Sequence, residues 1–348
     1  MTVPLTIALD AMGGDHAPDI VVKGADLARR RFPDINFHMF GDKQQLYEMM
    51  KRRKRLNAIT QITHAADVIS NDMKLSSALR KGKQSSMQLA INMVRDGQAA
   101  GVVSAGNTGV LMAMAKLALR TMPGIDRPAI AAIFPTMRGE SVMLDLGANV
   151  ECNSENLVQF TIMGDVFART VLGVVEPSCA LLNVGSEESK GHAEIQLAAS
   201  YLKQKKDMVN FYGFVEGDDI AAGTTDVVVS DGFTGNIALK TTEGTARLIK
   251  EFLGDAFRSS LSSRIGFLLA RRGLRKMRDR IDPRRYNGAV FLGLTGIAVK
   301  SHGGADAFGF ANAIGVAVDM AANGFGEKIT EGLRAVVDID ATKLVAAS

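Results

Sequence analysis

The clearest pattern in the chain is an apolar run that leads through a glycine-rich turn into a stretch with helical spacing. The valines at 227–229 form a β-branched run of the kind found in strands that are covered on both faces. Glycines within 230–236 allow the backbone to turn tightly. We therefore expect a buried strand, a tight turn and a helix, with Asn236 at the mouth of the sheet. The helix is expected to lie on the strand through residues that recur every three or four positions: Ile237, Thr241, Gly244, Leu248 and Phe252.

The same succession of strand, glycine turn and helix recurs along the chain and predicts an α/β fold. Strands are expected at 5–9, 36–40, 100–103, 129–134, 141–146, 180–184, 208–215 and 289–300. Helices are expected at 18–31, 86–94, 108–120, 154–172 and from about 306 to the end, with a loop at 216–225. We predict a doubly wound, largely parallel sheet with helices on both faces. In such a sheet the turns after the strands meet at one edge, where helix N-termini present unpaired N–H groups to anions.

A strongly basic stretch, 258–285, interrupts this succession. Its acidic residues are Asp279 and Asp282, and its basic residues are Arg258, Arg264, Arg271, Arg272, Arg275, Lys276, Arg278, Arg280, Arg284 and Arg285. Gly266 and Gly273 break the helical periodicity, so we expect two short amphipathic helices that project as an arm. The arm is the best candidate for a contact surface, and packing within a dimer is the alternative. Its candidate contact residues are Ile265, Leu268, Leu269, Arg271, Arg272 and Arg275.

The composition fits a compact sheet protein. Of the 348 residues, 47% are hydrophobic, 35 are glycine and none is tryptophan, which suits many strand-to-helix turns. The length also allows two domains. We interpret the chain as a single α/β domain, residues 1–348, with the arm at 258–285 inside it. The net charge is 41 − 37 = +4, which is mild for nucleic-acid binding, so no nucleic-acid partner is expected.

The cysteines and the apolar runs indicate where the protein acts. Cys152 and Cys179 form neither a metal-type spacing nor a disulfide framework, so we expect no metal and a reducing cytoplasm. No basic leader precedes the first predicted strand, and no apolar run approaches the ~18 residues of a spanning helix. We therefore expect a cytoplasmic protein that is soluble or bound to the membrane surface.

Common catalytic and nucleotide-binding signatures are missing from the sequence. It contains no G-x-G-x-x-G, no G-x-x-x-x-G-K-[ST] and no H-E-x-x-H, and Ser104 does not lie in a G-x-S-x-G elbow. What remains is a set of glycine turns with polar neighbours at predicted strand ends, which favours an anion pocket, although any one turn could be purely structural. The candidate phosphate-binding or substrate-binding residues are Gly13, Gly14, Asp15, His16, Gly106, Asn107, Thr108, Asn149, Gly185, Asp231, Gly232 and His302.

Lys190 lies in one of these turns. A lysine there loses hydration unless it meets an anion, although a solvated surface position is an equally open interpretation. His16 and His302 also follow glycine-edged strand ends, where a structural hydrogen-bonding role is as open as a functional one.

Four stretches, in order along nearly the whole chain, resemble the phosphate acyltransferase family of bacterial phospholipid synthesis. They are LDAMGGDHAP from Leu9, NVGSEESKGH from Asn183, DGFTGN from Asp231 and KSHGG from Lys300. The resemblance implies transfer of a fatty acyl group from acyl carrier protein to inorganic phosphate, which gives acyl phosphate for a membrane-bound acyltransferase of phosphatidic acid synthesis. It also implies a homodimer, a fold similar to isocitrate and isopropylmalate dehydrogenases, and no nicotinamide or other cofactor.

By matching position, the resemblance assigns Lys190 and Asn236 as the catalytic pair. His192 stands where asparagine is more common in the family, and this departure touches neither residue. Phosphate is substantially dianionic near neutrality and needs no covalent nucleophile on the enzyme. We hypothesise that Lys190 positions phosphate and that Asn236 polarises the acyl carbonyl. A thiol leaves without much acid help, which would explain why no histidine dyad is present.

Other partners and functions stay open at this point. Acidic carrier protein and anionic lipid are both candidate partners of the arm, the latter through peripheral association with the inner face of the cell membrane, where the downstream membrane acyltransferase would be a further partner. One rival function is a phosphotransacetylase that uses acyl-coenzyme A, and another is a metal-dependent hydroxy-acid dehydrogenase on the related fold. A non-catalytic scaffold for carrier protein at the membrane is the third.

Overall fold

The computed structural model describes residues 5–70, 72–205 and 208–331. The strands are β1 (Leu5–Asp10), β2 (Ile35–Gly41), β3 (Thr60–His64), β4 (Gly101–Ser104), β5 (Ala129–Pro135), β6 (Glu140–Leu144), β7 (Ser178–Leu182), β8 (Asn210–Val215), β9 (Val227–Val229), β10 (Ala289–Leu292) and β11 (Ile297–Lys300). The helices are α1 (Asp19–Arg31), α2 (Lys43–Met50), α3 (Lys54–Asn57), α4 (Leu75–Lys81), α5 (Ser86–Arg95), α6 (Thr108–Leu119), α7 (Ser154–Phe167), α8 (Ala193–Gln204), α9 (Gly217–Ala222), α10 (Gly232–Arg258), α11 (Leu261–Ile281) and α12 (Ala307–Ala322). A 3-10 turn at Gly82–Gln84 precedes α5, and a π-helical turn at Ala168–Leu172 extends α7.

The strands form one sheet in the order β3-β2-β1-β4-β11-β10-β5-β6-β9-β7-β8. Neighbouring strands are parallel within β3-β2-β1-β4-β11, which we call the first half, and within β6-β9-β7-β8, which we call the second half. Both faces are covered, because alternate residues of β1 belong to different cores. Ile7 and Leu9 belong to the core that contains residues of α1 and α12, and Ala8 belongs to the core that contains residues of α5 and α6. The predicted doubly wound, largely parallel α/β fold is confirmed.

Strand β5 joins the two halves and reverses the direction of the second. Its residues 129–131 pair with β10, and its residues 132–135 pair with β6, antiparallel in both cases. The turn at 136–139 is tight because Thr136 N donates to Gly139 O at 2.8 Å. Strand β10 is likewise antiparallel to β11. The first and second halves therefore run in opposite directions.

The register shows where the two sets of carboxyl ends lie. Lys300, the last residue of β11, pairs with Ala289, one residue beyond the pairing of Val290 with Ala131 on β5. In the second half, Leu144 is the last residue of β6 and follows the pair between Met143 and Ala132. Both sets of strand ends thus stop level with the middle of β5. The expectation that all turns share one edge is wrong, because the β5–β6 turn sets two opposed groups of strand ends against each other.

Two other predicted segments differ from the structure, and a third lies outside the described residues. The expected loop at 216–225 contains helix α9, which begins with a capping box between Glu216 and Asp219. The expected strand at 289–300 is a hairpin of β10 and β11, because Gly293, with a φ of 88°, lies in the turn between them. Predicted helical structure after residue 331 lies outside the described residues, as does the start of the chain before residue 5.

The arm, residues 258–285, contains the end of α10 and all of α11, and neither helix is arranged as predicted. Helix α10 does not lie on β9, since Ile237, Leu248 and Phe252 are 49, 51 and 64% exposed. Helix α11 is one continuous helix through both glycines, and it has no buried residue. The two helices contact each other, with the rings of Phe257 and Phe267 edge to face at 5.4 Å. Within the described ranges, no helix is both long and apolar enough to cross a membrane.

Candidate functional site

The first half supplies closely packed turns at the ends of β1 and β4. A Cβ at Gly13 would overlap Asp10 Oδ2 and lie 2.8 Å from Gly106 N. Gly14 has a φ of 103°, and a Cβ there would lie 2.8 Å from Ala105 Cβ. The turn after β1 therefore touches the turn after β4, and only glycine allows this approach.

Asp10 is buried, and its carboxylate fixes these turns through hydrogen bonds. Its Oδ1 accepts a hydrogen bond from Ser86 Oγ and its Oδ2 accepts one from Ser104 Oγ, both at 2.6 Å. Met12 N donates to Oδ1 at 3.3 Å. Burial raises the pKa of the Asp10 carboxyl, and the serine hydroxyls oppose this shift. Since both carboxyl oxygens accept bonds from protein, we interpret Asp10 as a structural anchor and Ser104 as its partner.

The other first-half candidates lie at the surface around this group. Asp15 N donates to Gly303 O at 3.0 Å, which joins the turn after β1 to the turn after β11. His302 is exposed, and its Nδ1 accepts from Gly304 N at 3.1 Å, which leaves Nε2 to carry the proton of the neutral ring. His16 is also exposed.

Asn107 and Thr108 form the start of helix α6. Asn107 caps the helix, because its Oδ1 accepts from Val110 N at 3.0 Å. Thr108 is exposed at the first helical position. The first backbone N–H groups of a helix have no partner within the helix, and those of α6 lie beside the turn after β4, where they are available to an anion.

In the second half, Asp145 has the supporting role that Asp10 has in the first. Its Oδ1 accepts from Ile130 N at 2.9 Å and from Ala148 N at 3.0 Å, and burial raises the pKa of its carboxyl. Asn149 donates to Asp145 Oδ2 from its backbone N at 2.7 Å and from its Nδ2 at 2.9 Å. The same Nδ2 donates to Pro128 O at 2.8 Å. Asn149 was predicted to bind substrate, and the structure places its buried amide in the support of the turn.

The start of helix α10 is fixed against that turn. Asp231 caps the helix, since its Oδ1 accepts from Thr234 N and its Oδ2 accepts from Thr234 Oγ1, both at 2.8 Å. Gly232 N donates to Asn149 O at 2.7 Å, and a Cβ on Gly232 would lie 2.6 Å from that oxygen. Asp231 and Gly232 therefore position the helix start, including the residue that follows one turn later.

That residue is Asn236, whose side chain is exposed. A Cβ on the preceding residue, Gly235, would overlap the carbonyl of Asp145, so the backbone here has a single close fit. A Cβ on Gly147 would lie 3.6 Å from Asn236 Cβ. The carboxamide of Asn236 is thus held beside the turn after β6 and is open to solvent.

Lys190 lies in the turn after β7, with a fixed backbone and an exposed side chain. Its carbonyl oxygen accepts from Asn183 Nδ2 at 3.1 Å and from Gln196 Nε2 at 3.3 Å. A Cβ on Gly185 would lie 3.1 Å from Lys190 Cγ, so Gly185 makes room for the lysine. Strands β7 and β9 are parallel neighbours, with Leu181 paired to Val229. The turn that carries Lys190 and the helix that carries Asn236 therefore leave the same edge of the second half.

Sequence reasoning gave no role to Lys300, the last residue of β11. It is 9% exposed, and its Nζ donates to Ala105 O at 3.2 Å and to Ser301 O at 2.5 Å. Burial lowers its pKa to about 8, although Asp15 and Asp10 oppose the shift. The available signal was a lysine that ends the apolar strand IAVK, but its burial depends on neighbours that the strand itself does not reveal.

Lys240 of the second half acts electrostatically on Lys300 of the first half. It lies on α10, one turn after Asn236, and its charge is close enough to lower the pKa of Lys300 further. Since Lys300 belongs to the first half and α10 follows a strand of the second, the opposed strand ends face one another across the middle of the sheet. The structure thus brings together residues of both halves, whereas the arm candidates on α11 lie outside this region.

Solved structures of other proteins show the class of this fold. A phosphotransacetylase from Streptococcus pyogenes superposes with a TM-score of 0.62 over 92% of this chain and 95% of its own, at 16% identity. The EutD phosphotransacetylase from Staphylococcus aureus gives 0.60 over 91% and 94%, also at 16% identity. The chain therefore has the α/β fold of the phosphotransacetylases, and it shares this fold with the 4-hydroxythreonine-4-phosphate dehydrogenase from Klebsiella pneumoniae, with a TM-score of 0.51 over 91% of this chain and 99% of its own, at 14% identity.

Sequence comparisons then show the family. A family described as fatty acid synthesis protein matches residues 5–328. The phosphate acyltransferase of Rhodospirillum centenum is 61% identical over 333 residues, which are 96% of this chain and 94% of that protein. That of Rhodospirillum rubrum is 56% identical over 342 residues, 98% of each. The chain belongs to the phosphate acyltransferase family, as its four motifs predicted, and is an acyltransferase.

Proposed function

We propose that this enzyme transfers a fatty acyl group from acyl carrier protein to inorganic phosphate and releases acyl phosphate for phospholipid synthesis. The names of its relatives support the transfer of an acyl group to phosphate. The observation that carries the proposal is that Lys190 and Asn236 leave neighbouring parallel strands on rigid supports. At this edge of the sheet, a cation can bind phosphate and an amide N–H can stabilise the oxyanion that develops on the acyl carbonyl.

The reaction requires only two bond changes at the acyl carbon. A phosphate oxygen attacks the thioester carbonyl carbon, and the carbon–sulfur bond then breaks with its electron pair on sulfur. The thiolate takes a proton from solvent, since a thiol pKa of about 8.5 makes it a good leaving group. Lys190 holds the phosphate, and the Asn236 Nδ2–H donates to the carbonyl oxygen as negative charge grows there.

The supports of these residues matter because a donor stabilises the transition state only if it is already in place. Asp145 receives five hydrogen bonds from the turn beside Asn236 and from Ile130. Gly235 fits against the Asp145 carbonyl. The carboxamide is therefore carried on a backbone that cannot shift without breaking buried bonds.

The proposal is tested by mixing the purified protein with an acyl carrier protein thioester and phosphate. Free thiol and hydroxylamine-reactive acyl phosphate should appear in equal amounts. Lys190→Met should abolish most of this turnover, whereas Lys23→Met, which removes an exposed lysine from α1, should leave it unchanged. Faster turnover with acyl-coenzyme A than with the carrier protein thioester would contradict the proposed donor and favour a phosphotransacetylase.

We also propose that the arm holds this enzyme on an anionic membrane surface at the cytoplasmic face. Helix α11 carries seven basic residues and one acidic residue, a net 7 − 1 = +6. Leu268 and Leu269 are 65 and 83% exposed among these charges. Basic residues near an anionic surface contribute about 1 kcal/mol each, and exposed leucines can enter the headgroup region. The residues that line an open groove on this helix are Phe267, Leu268, Arg271, Leu274, Arg275 and Arg278.

Flotation with liposomes of anionic lipid tests the arm. The double substitution Leu268→Asp and Leu269→Asp should reduce co-flotation while turnover in solution stays unchanged. The matched control is Leu117→Asp, which changes an equally exposed leucine on α6, outside the arm. Unchanged flotation of the arm variant removes the membrane proposal, and a raised KM for the carrier protein thioester would assign the arm to that partner instead.

The homodimer is part of the same proposal. The exposed apolar residues of α10, among them Leu248, Ile249 and Phe252, offer a surface that a second copy of the chain would cover, which leaves Leu268 and Leu269 of α11 to the membrane. Light scattering should give twice the mass of one chain for the wild type. A monomeric wild type would contradict the dimer, and an arm variant that becomes monomeric would show that the arm packs between copies.

A further inference from the structure

Lys300 is a buried lysine that the proposed reaction does not use. It ends β11 and pairs in register with Ser104 of β4, and the next residue, Ser301, donates its backbone N–H to Ser104 O at 2.9 Å. Its side chain lies under the turn that carries Ala105. This position is the centre of the first-half turns, which glycines pack closely together.

The protein compensates the charge of this lysine only in part. An ammonium has three N–H donors, and the bonds that the structure gives it within the described ranges are to the carbonyl oxygens of Ala105 and Ser301. Both acceptors are neutral groups. The carboxylates of Asp15 and Asp10 favour the charged form of Lys300, but burial outweighs them and lowers its pKa to about 8.

A second cation lies on the helix that follows β9, in the other half of the sheet. Lys240 lies on α10, one turn beyond Asn236, and its ammonium makes the charged form of Lys300 less favourable. Lys240 also forms an ion pair with Glu243 at 2.9 Å, which fixes its side chain along the helix. Two like charges that repel each other are both stabilised when an anion binds between them.

We propose that Lys300 binds the phosphate co-substrate from the first half of the sheet, with Lys240 as the opposing cation on α10. The proposal rests on the proposed function, because it takes inorganic phosphate to be a substrate. A phosphate dianion between the two ammonium groups lies one helical turn from Asn236, the donor to the acyl carbonyl. Lys300 then fixes the phosphate, and Lys190 directs it toward the thioester.

Direct binding of inorganic phosphate, without any acyl donor, tests this site. Isothermal titration of sodium phosphate into Lys300→Met should show binding about tenfold weaker than in the wild type, because a charge-assisted hydrogen bond to a phosphate oxygen is lost. Lys240→Met should weaken binding about threefold, since its ammonium is more exposed. Lys23→Met is the control and should bind as the wild type does. Phosphate affinity of both Lys300→Met and Lys240→Met within twofold of the wild type overturns the proposal.

The kinetics provide a readout that a structural role of Lys300 would not move. The KM for phosphate should rise about as much as the dissociation constant in Lys300→Met, while the KM for the acyl donor stays unchanged. In the wild type the KM for phosphate should also rise as the pH passes about 8, where Lys300 loses its proton among Asp10, Asp15 and Lys240. Lys300→Met should lack this rise, and a rise of equal size in the variant contradicts the proposal.

Failure of this inference can be distinguished from failure of the proposed function. If phosphate binding depends on Lys300 but the wild type makes no acyl phosphate from any donor, the binding site stands and the proposed reaction falls. If acyl phosphate forms normally in Lys300→Met, the reaction stands and the assignment of Lys300 falls. Should Lys300→Met fail to fold, Lys240→Met decides, and unchanged phosphate affinity in that variant overturns the assignment.

Discussion

The two halves of the sheet have the same kind of support but present their lysines differently. In each half a buried aspartate at a strand end, Asp10 or Asp145, accepts the hydrogen bonds that fix a glycine turn. Lys300 of the first half lies beneath its turns, whereas Lys190 of the second half stands on the surface of its turn. We propose that this difference reflects two roles, because a buried ammonium is fixed in position, whereas an exposed lysine side chain can move together with the ligand that it binds.

We propose that the first half fixes the phosphate, and that the second half binds the acyl group and, through Lys190, directs the phosphate toward it. The buried cation and the close turns suit a small anion of fixed size. The second half carries the exposed Asn236 and Lys190 at the edge where a bulky carrier-bound thioester can approach.

Asn236→Ala should remove the donor to the acyl carbonyl in the second half. Loss of one such donor costs about 2.7–4 kcal/mol, so kcat should fall about 10²–10³-fold while the KM for phosphate changes little. The control is Asn57→Ala, an exposed asparagine at the end of α3. Wild-type turnover in Asn236→Ala would end the assignment of this residue.

Lys300→Met should change how stability depends on pH. Folding lowers the pKa of Lys300 from an ordinary value of 10.5 to about 8, so between these values the unfolded chain binds more protons. The wild type therefore gains stability relative to the variant as the pH rises from 8 toward 10, by up to about 3 kcal/mol. Urea unfolding of the wild type and of Lys300→Met from pH 7 to pH 10 measures the difference between their free energies of unfolding. Groups that titrate in both proteins contribute equally and cancel from this difference. A constant difference would show that Lys300 is not held in a desolvated place.

Gly13→Ala should damage the first half specifically. A Cβ there would overlap Asp10 Oδ2, so the turn or the carboxyl must move at a cost of about 1–3 kcal/mol. Thermal unfolding should show the loss of stability, and the KM for phosphate should rise more than the KM for the acyl donor. An equal rise in both KM values would mean that the two halves are not divided as we propose.

Gly266→Ala should have the smallest effect, and it should stabilise the protein rather than destabilise it. Nothing lies within 4 Å of a Cβ at this position in α11, and alanine in place of a helical glycine stabilises by about 1 kcal/mol. Helix content by circular dichroism should rise slightly, with turnover in solution unchanged. A loss of turnover would show that the arm takes part in the reaction itself.

Much of the fold could be predicted because local patterns determine it. The valines at 227–229, their glycine turn and the following helix lie where the sequence places them. The opposed direction of the second half could not be predicted in this way. It depends on whether the residues between β5 and β6 make a tight turn or a crossover, and the Thr136 to Gly139 turn decides this through a backbone hydrogen bond.

The errors at helix α10 and at Lys300 have a common physical origin. An apolar stripe, such as Ile237, Leu248 and Phe252, shows that one face of a helix is hydrophobic but not what covers it. In this chain the stripe is exposed. Likewise, the burial of Lys300 comes from the Ala105 turn, which is distant in sequence. Tertiary neighbours, which periodicity does not encode, decide both cases.

The central claim is that phosphate attacks the thioester directly, in a site made by both halves. The most direct test mixes a molar excess of protein with acyl carrier protein thioester in phosphate-free buffer, and measures thiol release and the mass of the intact protein. We predict no thiol and no acyl adduct until phosphate is added, after which acyl phosphate and thiol appear together. A burst of thiol equal to the enzyme, with an acyl adduct on the chain before phosphate is present, would contradict the account.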